Sequence, residues 1–297
     1  MFDIAPQIDC AGRTLKLDRT RVMGIVNVTP DSFSDGGVHD TSAAAIAHGL
    51  QLVEEGADLL DIGGESTRPG ADDVSSDEEL RRVIPVIEAL AARVSVPISI
   101  DTSKPEVMRA AVAAGAGMIN DVYALRREGA LDEAASLNVP VVLMHMLGEP
   151  RTMQQSPEYD NVVGEVHRFL AERIFACEMA GIDKKKIIVD PGFGFGKNRE
   201  HNLQLLARMQ RFTELGVPVL AGLSRKRTIG ELTGRDIPVE RMHGSVAAHV
   251  IAAQHGARIV RVHDVAATVD ALKVWEAVAA IPAPRADRGP PEIVWPE

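Results

Sequence analysis

The sequence has few of the features that mark secreted, membrane or nucleic-acid-binding proteins. Its two cysteines, Cys10 and Cys177, stand outside any CxxC pattern, so neither a disulfide framework nor a zinc site is indicated. No apolar run approaches the roughly 18 residues of a membrane helix, and the start of the chain does not resemble a signal peptide. The net charge of −10 argues against nucleic acid or an anionic membrane as partner. We therefore expect a soluble cytoplasmic protein.

Aromatic side chains are also scarce, at 4% of residues, although apolar residues make up 45% of the chain. The apolar side chains are therefore mainly Ala, Val, Leu and Ile, which suit the layered interior of an α/β barrel and its packing helices. A length of 297 residues is common for one such barrel.

Eight short apolar runs alternate with helix-patterned stretches, and polar residues follow each run. The runs are 22–28, 59–63, 97–100, 117–119, 139–143, 187–189, 217–221 and 259–262. The polar residues after them are 27–35, 65–68, 101, 120–121, 145, 190, 224–226 and 263–264. Because parallel strands all end on the same side of a sheet, these polar groups should converge. The pattern predicts an α/β fold, a (β/α)₈ TIM barrel with its active site at the C-terminal face.

We predict a single barrel domain over residues 22–281, without an internal composition break. Residues 1–21 should form a leader, a β-hairpin that closes the bottom of the barrel with Gly12 at its turn. Residues 282–297, rich in proline and charge, should form a flexible tail. Helices are predicted at 41–55, 77–93, 105–114, 161–180, 202–215, 239–255 and 265–280. The long loops at 29–40 and 66–76 are typical of lids or ligand clamps.

Five cationic side chains fall near the predicted mouth and suggest an anion site. Phosphate sites in barrels often form after strands seven and eight, where Arg and Lys can hold a phosphorylated ligand. The alternative is that these are rim charges paired with Asp or Glu. The five residues are Arg68, Arg225, Lys226, Arg261 and His263.

Asp101, Asn120 and Asp190 each stand at a strand end and form a set of hydrogen-bond acceptors. Such groups can pair with the edge of a flat heterocycle such as an aminopyrimidinone. Helix capping is the alternative for Asp101 and for Asp121. It would account for one of these residues but not for a set on neighbouring strands.

The glycine-rich stretch 190–197 matches neither the phosphate-binding loop nor the dinucleotide-binding fingerprint, since spacing and flanking residues differ from both. We expect a tight turn that places Phe195 over a ring. Met144 and His145 could line a flat pocket, although a histidine at this position is as often a core residue.

With these residues assembled, the chain resembles the dihydropteroate synthase family of pterin-binding barrels over residues 21–278. The most specific similarity lies in the first two blocks and the last. The blocks are 23–37, 61–70, 99–103, 119–122, 190–197, 222–226 and 261–265.

The resemblance implies condensation of 6-hydroxymethyl-7,8-dihydropterin diphosphate with p-aminobenzoate, giving 7,8-dihydropteroate and diphosphate, in folate biosynthesis. It implies pterin binding by Asp101, Asn120, Met144, Asp190, Phe195 and Lys226. It implies diphosphate binding by Asn27, Arg68, Arg261 and His263, with Asn27 also a ligand of Mg²⁺. It implies p-aminobenzoate binding by Phe33, Asp35, Thr67, Pro69 and Ser224. The catalytic residues would be Asp101, Asp190, Lys226, Arg261 and His263.

The resemblance further implies a homodimer through helices 239–255 and 265–280, and a target of sulfonamides. Loss of diphosphate should run ahead of attack by the amine, because the electron-rich pterin ring stabilises the resulting cation. Three other functions compete with this one: a methyltetrahydrofolate-binding methyltransferase domain, a non-catalytic pterin-binding paralogue and a phosphosugar-binding barrel. The first does not need Arg261 and His263, and the last leaves Asp101, Asn120 and Asp190 without a role.

Overall fold

The computed structural model describes residues 7–29, 38–66, 73–148, 153 and 157–282. Within them, eight parallel strands form one sheet in the order β8-β7-β6-β5-β4-β3-β10-β9. A parallel bridge between Val189 and Val219 joins the two ends of this order, so the sheet closes into a barrel. The strands are β3 (Arg21–Asn27), β4 (Leu59–Gly63), β5 (Ile98–Asp101), β6 (Met118–Asp121), β7 (Val141–Met144), β8 (Ile187–Asp190), β9 (Leu220–Ala221) and β10 (Ile259–Val262).

Helices follow the strands and cover the outside of the barrel. They are α1 (Val38–Glu54), α2 (Ser76–Ala91), α3 (Pro105–Ala113), α4 (Ala130–Leu137), α5 (Val162–Met179), α6 (Arg199–Ala207), α7 (Gln210–Thr213), α8 (Arg227–Thr233), α9 (Met242–Gln254) and α10 (Val265–Ala279). Together with the closed sheet they confirm the predicted (β/α)₈ barrel. Both faces of the sheet are covered, which explains why the strands are apolar runs rather than alternating patterns.

Three details of the helices differ from the prediction. Helix α4 and helix α8 were not predicted, and the helix predicted at 202–215 is two helices, α6 and α7. Helix α4 spans 8 residues and begins after Gly129, which has φ 76° and provides no side-chain cap. A helix without a capping side chain lacks the usual start signal in the sequence.

A two-stranded antiparallel hairpin, β1 (Gln7–Cys10) and β2 (Arg13–Lys16), closes the N-terminal end of the barrel. Its apolar side chains pack against the first inward-facing residues of the barrel strands. This cluster contains Ile8, Cys10, Leu15, Leu17, Met23, Leu59, Met118, Val142, Ile188, Leu220 and Ile259. The hairpin lies so close to the barrel that a Cβ atom on Gly117 would stand 2.3 Å from the Cys10 carbonyl oxygen. The predicted hairpin at the bottom of the barrel is therefore present.

No helix in the described ranges is both long and apolar enough to cross a membrane.

Candidate active site

The site follows from the two-residue repeat of the strands. The barrel-strand residues that pack against the hairpin face the barrel interior. Since every second residue of a strand faces the same way, the residues two positions further along each strand also face inward. Ser99 of β5 pairs in register with Met118 of that cluster, so Asp101 belongs to the same row as Asn120. We call these eight residues the site layer. They are Ile25, Asp61, Asp101, Asn120, Met144, Asp190, Gly222 and Arg261.

Asp61 connects three parts of this layer. Its Oδ2 accepts hydrogen bonds from Asn120 Nδ2 at 3.0 Å and from Arg261 Nε at 2.5 Å. The guanidinium of Arg261 also donates through Nη2 to Asp101 Oδ2 at 2.8 Å. Asp61 is fully buried, and its Oδ1 has no hydrogen-bond partner among the residues that the structure describes. Carboxylates, an amide and a cation from four strands thus form one network at the barrel floor.

Sequence reasoning missed Asp61 as a site residue, although a signal was present. Asp61 is a charged residue inside the buried strand 59–63, where every other side chain is apolar or absent. Ionised side chains are rarely buried unless they are paired. A carboxylate at such a position therefore indicates a cation or polar partner across the barrel, which here is Arg261.

Two acidic residues of the layer, Asp101 and Asp190, have pKa values above the usual range of a carboxyl group. Burial raises the pKa of Asp101 to about 7, against the lowering effect of Arg261 and with a further increase from the negative charge of Asp61. Burial also raises the pKa of Asp190, although Lys226 and the backbone N–H of Gly192 lower it. The carboxyl group of Asp101 can therefore change its charge state near neutral pH when a ligand or the pH changes its surroundings.

Lys226 stands close to Asp190 and to the glycine-rich turn. A Cβ atom on Gly222 would lie 3.8 Å from Asp190 Oδ2 and 4.0 Å from Lys226 Nζ, so Gly222 lies beside both side chains. Lys226 Nζ donates to the Phe193 carbonyl oxygen and lies 4.7 Å from the centre of the Phe195 ring. Burial lowers the pKa of Lys226 to about 8, opposed by Asp190.

Met144 and Phe195 form the apolar side of the site. Met144 belongs to a small buried cluster with Val122, Met146 and Met153, and Phe195 packs against it. The turn 190–197 therefore lies beside the layer, with Phe195 packed against the cluster that contains Met144.

Ser224 and His263 lie one step of two residues above the site layer. The Ser224 hydroxyl accepts from the His263 backbone N–H at 3.1 Å, and it stands 2.9 Å from His263 Nδ1. The contact joins the loops that follow β9 and β10. Asn27, at the end of β3, continues the inward-facing row from Met23 and is half-buried.

Arg225 differs from the cation expected at the anion site. Its guanidinium forms two hydrogen bonds with Asp264, at 2.6 and 3.0 Å, so the alternative of a paired rim charge describes it better. The carboxylate of Asp121 accepts from the backbone N–H groups of Tyr123 and Leu125, which lie in a turn, while the next helix, α4, begins only after Gly129, so the capping alternative is wrong for Asp121. It is also wrong for Asp101, since α3 begins after Lys104 without a side-chain cap.

Five predicted ligands lie outside the described residues. They are Phe33, Asp35, Thr67, Arg68 and Pro69. The remaining predicted residues come together at the C-terminal end of the barrel. They are Asn27, Asp101, Asn120, Met144, Asp190, Phe195, Ser224, Lys226, Arg261 and His263.

Comparison with known proteins agrees with this geometry. The sequence profile of the family described as "Pterin binding enzyme" matches residues 23–263. Dihydropteroate synthase of Escherichia coli (strain K12) is 54% identical over 266 residues, which cover 90% of this chain and 94% of the relative.

Solved structures give the same result. Xanthomonas albilineans dihydropteroate synthase with 4-aminobenzoic acid is 71% identical, with a TM-score of 0.90 over 93% of this chain and 99% of that one. The same enzyme in complex with 7,8-dihydropteroate is 69% identical, with a TM-score of 0.87 over 93% of this chain and 100% of that one. This chain therefore belongs to the dihydropteroate synthase family of pterin binding enzymes.

Proposed function

We propose that this protein condenses 6-hydroxymethyl-7,8-dihydropterin diphosphate with p-aminobenzoate, giving 7,8-dihydropteroate and diphosphate. The observation that carries the proposal is the site layer, in which the acceptors Asp101, Asn120 and Asp190 share one closed floor with the cation Arg261. Such a floor offers acceptors to a heterocycle and a positive charge to an anion at one site. The Escherichia coli relative, which is 54% identical to this chain, is a dihydropteroate synthase.

The pterin would lie on this floor, with its ring donors facing Asp101, Asn120 and Asp190. The Asn120 side chain already donates one N–H to Asp61, which fixes the orientation of its amide. Met144 and Phe195 would contact the faces of the ring, because both belong to the apolar side of the site. Lys226 would complete the pocket beside Asp190.

Diphosphate would be held by Arg261 and His263, with Arg68 from the loop after β4. Among the described residues, Arg261 donates two of its five N–H groups, to Asp61 and Asp101, and the other N–H groups would bind phosphate oxygens. These contacts would stabilise the negative charge that develops on the leaving diphosphate. The carboxylates Asp101 and Asp190 would stabilise the positive charge that develops on the pterin.

p-Aminobenzoate would bind between Ser224 and the loop residues Phe33, Asp35, Thr67 and Pro69. An arylamine is neutral at pH 7 and attacks without a strong base, so the site must place it rather than activate it. We also propose that sulfonamides compete for this position.

Magnesium is the proposed metal, with Asn27 as the protein ligand. The Asn27 side chain supplies an amide oxygen, a hard donor of the kind that Mg²⁺ accepts. No group of three or more His, Cys, Asp or Glu among the described residues could hold a metal by itself. A single protein oxygen fits Mg²⁺, which usually binds through one or two protein groups, water and substrate phosphates. When bound, the ion would neutralise charge on the diphosphate.

We further propose a homodimer through α9 and α10, working in the cytoplasm, with residues 22–281 as the catalytic domain. Exposed apolar side chains near these helices support the dimer. They are Leu232, Ile237, Val239, Ile251, Val274, Val278 and Ile281. The two buried cysteines are unpaired, which suits a reducing compartment. A monomer mass in sedimentation at micromolar concentration would refute the dimer.

The function is tested by mixing purified protein with Mg²⁺, the pterin diphosphate and p-aminobenzoate and measuring dihydropteroate. An Asp190→Asn variant should lose most of the activity, and Asp183→Asn, a matched change at the N-terminal end of β8, should keep it. A second assay without p-aminobenzoate follows diphosphate release, which detects cleavage ahead of amine attack. No product from the wild type would favour the non-catalytic paralogue, and methyl transfer from methyltetrahydrofolate would favour the methyltransferase domain.

A further inference from the structure

Lys197 is a buried cation to which the proposed reaction gives no role. Its side chain ends between the glycine-rich turn 191–196 and the segment that follows β7, and the residue is 3% exposed. The ammonium nitrogen lies 2.9 Å from three acceptors: His145 Nδ1, the Gly192 carbonyl oxygen and the Phe195 carbonyl oxygen. An ammonium group has three N–H donors. All three are therefore used by groups from two separate segments.

The two segments that Lys197 joins are packed directly against one another. A Cβ atom on Gly192 would stand 1.9 Å from the His145 carbonyl oxygen, and one on Gly196 would stand 2.7 Å from the Leu147 carbonyl oxygen. Neither glycine has room for a side chain, because the backbone of the turn packs directly against residues 145–147. Lys197 fills the space between them and supplies the hydrogen bonds that two facing backbone segments cannot give each other.

The turn is held from its other side by Lys226, whose Nζ donates to the Phe193 carbonyl oxygen and stands over the Phe195 ring. Two lysines therefore bind carbonyl groups of one turn, and Phe195 lies between them. The Phe195 backbone is fixed by Lys197, while its ring faces Lys226 and the Met144 cluster. The place of the ring thus depends on both cations.

A filling role in the core would not require an amine at this position. Burying an ammonium group carries a desolvation cost, and burial lowers the pKa of Lys197 well below its usual range even though Asp190 opposes the shift. Methionine has a similar length and would fill the space without that cost. What an apolar side chain cannot supply is the set of three directed hydrogen bonds.

We propose that Lys197 is a positioning residue for the pterin pocket, which sets Phe195 against the ring of the bound heterocycle by joining the turn 191–196 to His145. The inference rests on the proposed function, because it takes Phe195 as a wall of the pterin pocket. Lys197 itself touches no substrate in this proposal. It acts through the backbone of the turn.

The test compares Lys197→Met with Lys186→Met. Lys186 is a suitable control because its Nζ also donates to a loop, at the Asn138 carbonyl oxygen, but at the opposite end of β8. We expect Lys197→Met to raise KM for the pterin diphosphate by about tenfold, the scale of a lost aromatic contact. KM for p-aminobenzoate should stay unchanged, and Lys186→Met should change neither constant. Equal changes in both constants, or a fall in active protein alone, would show that Lys197 is structural only.

A double-mutant cycle with Phe195→Leu tests the route of the effect. If Lys197 acts through Phe195, KM of the double variant for the pterin substrate should equal that of Phe195→Leu alone. Additive effects would overturn the proposal. If Lys197→Met does not fold, Lys197→Gln, which keeps two N–H donors, takes its place. Failure of both variants to fold would also overturn the proposal, since the lysine would then be a folding requirement.

Binding of 6-hydroxymethylpterin separates this inference from the proposed function. If the wild type binds the pterin but makes no dihydropteroate, the proposed reaction fails, and the variants can still be compared by dissociation constant. If the wild type turns over normally and Lys197→Met binds pterin equally well, the inference alone fails.

Discussion

Arg261 and Asp61 are separated by 200 residues in the chain and meet in the barrel interior, where Arg261 Nε lies 2.5 Å from Asp61 Oδ2. The same guanidinium reaches Asp101, so one cation stands between the fully buried carboxylate of Asp61 and the partly buried carboxylate of Asp101. A cation in this position keeps the acidic floor of the site together in the absence of ligand. It also places a positive charge where an anionic group of a ligand can reach it.

Replacing Arg261 with Met should destabilise the fold as well as the site. The change leaves the buried Asp61 and the partly buried Asp101 without their common partner, and breaking a buried pair costs about 3–5 kcal/mol. The control is Arg19→Met, since Arg19 pairs with Asp58 at a more exposed position, and we expect a loss of about 1 kcal/mol or less there. The measurement is urea unfolding at pH 8. Equal losses in the two variants would contradict the buried network.

Asp61→Asn should weaken pterin binding while leaving the fold intact. Asn120 and Arg261 would lose their shared anionic acceptor, and a hydrogen bond to a charged group contributes about 1.5–3 kcal/mol. We expect KM for the pterin diphosphate to rise about tenfold or more.

Asp58→Asn is the matched control for that change. Asp58 lies just before β4, accepts from Arg19 and Arg21, and belongs to the opposite end of the barrel. Its substitution should leave KM for both substrates unchanged. A wild-type KM in Asp61→Asn would show that Asp61 does not orient the site.

Binding of 6-hydroxymethylpterin should weaken as pH falls through about 7, the pKa to which burial raises Asp101. Below that pH the protonated carboxyl no longer offers an anionic acceptor to the ring donors, so affinity is retained above it and lost beneath it. Asp101→Asn should remove this pH dependence. Asp61→Asn should move it to lower pH, because the charge of Asp61 raises the pKa of Asp101. Titration calorimetry between pH 5.5 and about 8 measures both. A flat wild-type profile would refute the role of Asp101.

Gly192→Ala should destabilise the protein far more than Gly181→Ala. Both glycines have positive φ angles, 71° and 94°, so each substitution carries backbone strain of about 1 kcal/mol or more. Only at Gly192 would the added Cβ stand 1.9 Å from a carbonyl oxygen, whereas nothing lies within 4 Å at Gly181. Thermal unfolding of the two variants gives the difference. Similar melting temperatures would show that the turn is not packed on His145.

Asn27→Ala should raise the Mg²⁺ concentration needed for half-maximal activity. The variant removes the one oxygen by which we propose the protein holds the ion. A titration of turnover with MgCl₂ measures the shift, and EDTA should abolish turnover in the wild type. Asn138→Ala, at the N-terminal side of β7, serves as the control. An unchanged Mg²⁺ requirement in Asn27→Ala would place the metal elsewhere.

The fold was predictable from sequence because each buried parallel strand is an apolar run with a polar residue at its end. Each of the eight predicted runs overlaps a strand, although β9 is limited to Leu220–Ala221. Helix α4 could not be predicted, since Gly129 gives no capping signal, and α6 separates from α7 at a point without proline or glycine.

The grouping of Asp101, Asn120 and Asp190 at one end of the barrel was predictable, because each of them stands near the end of a strand. Asp61 was missed because it lies within a strand, where only the closed barrel reveals that it meets Arg261. The pairing of Arg225 with Asp264 was equally hidden, since two neighbouring loops bring these residues together. Local sequence shows which residues are charged, but closure of the sheet decides which charges remain for a ligand.

The hairpin of β1 and β2 determines where substrates can enter the enzyme and where products can leave it. Its side chains fill the N-terminal end of the barrel, so the interior is closed at that end. These side chains are Ile8, Cys10, Leu15 and Leu17. Substrates must arrive, and both products must depart, through the same opening at the other end. Dihydropteroate that lingers there would block the next pterin, so its release can limit the rate at which the whole cycle repeats.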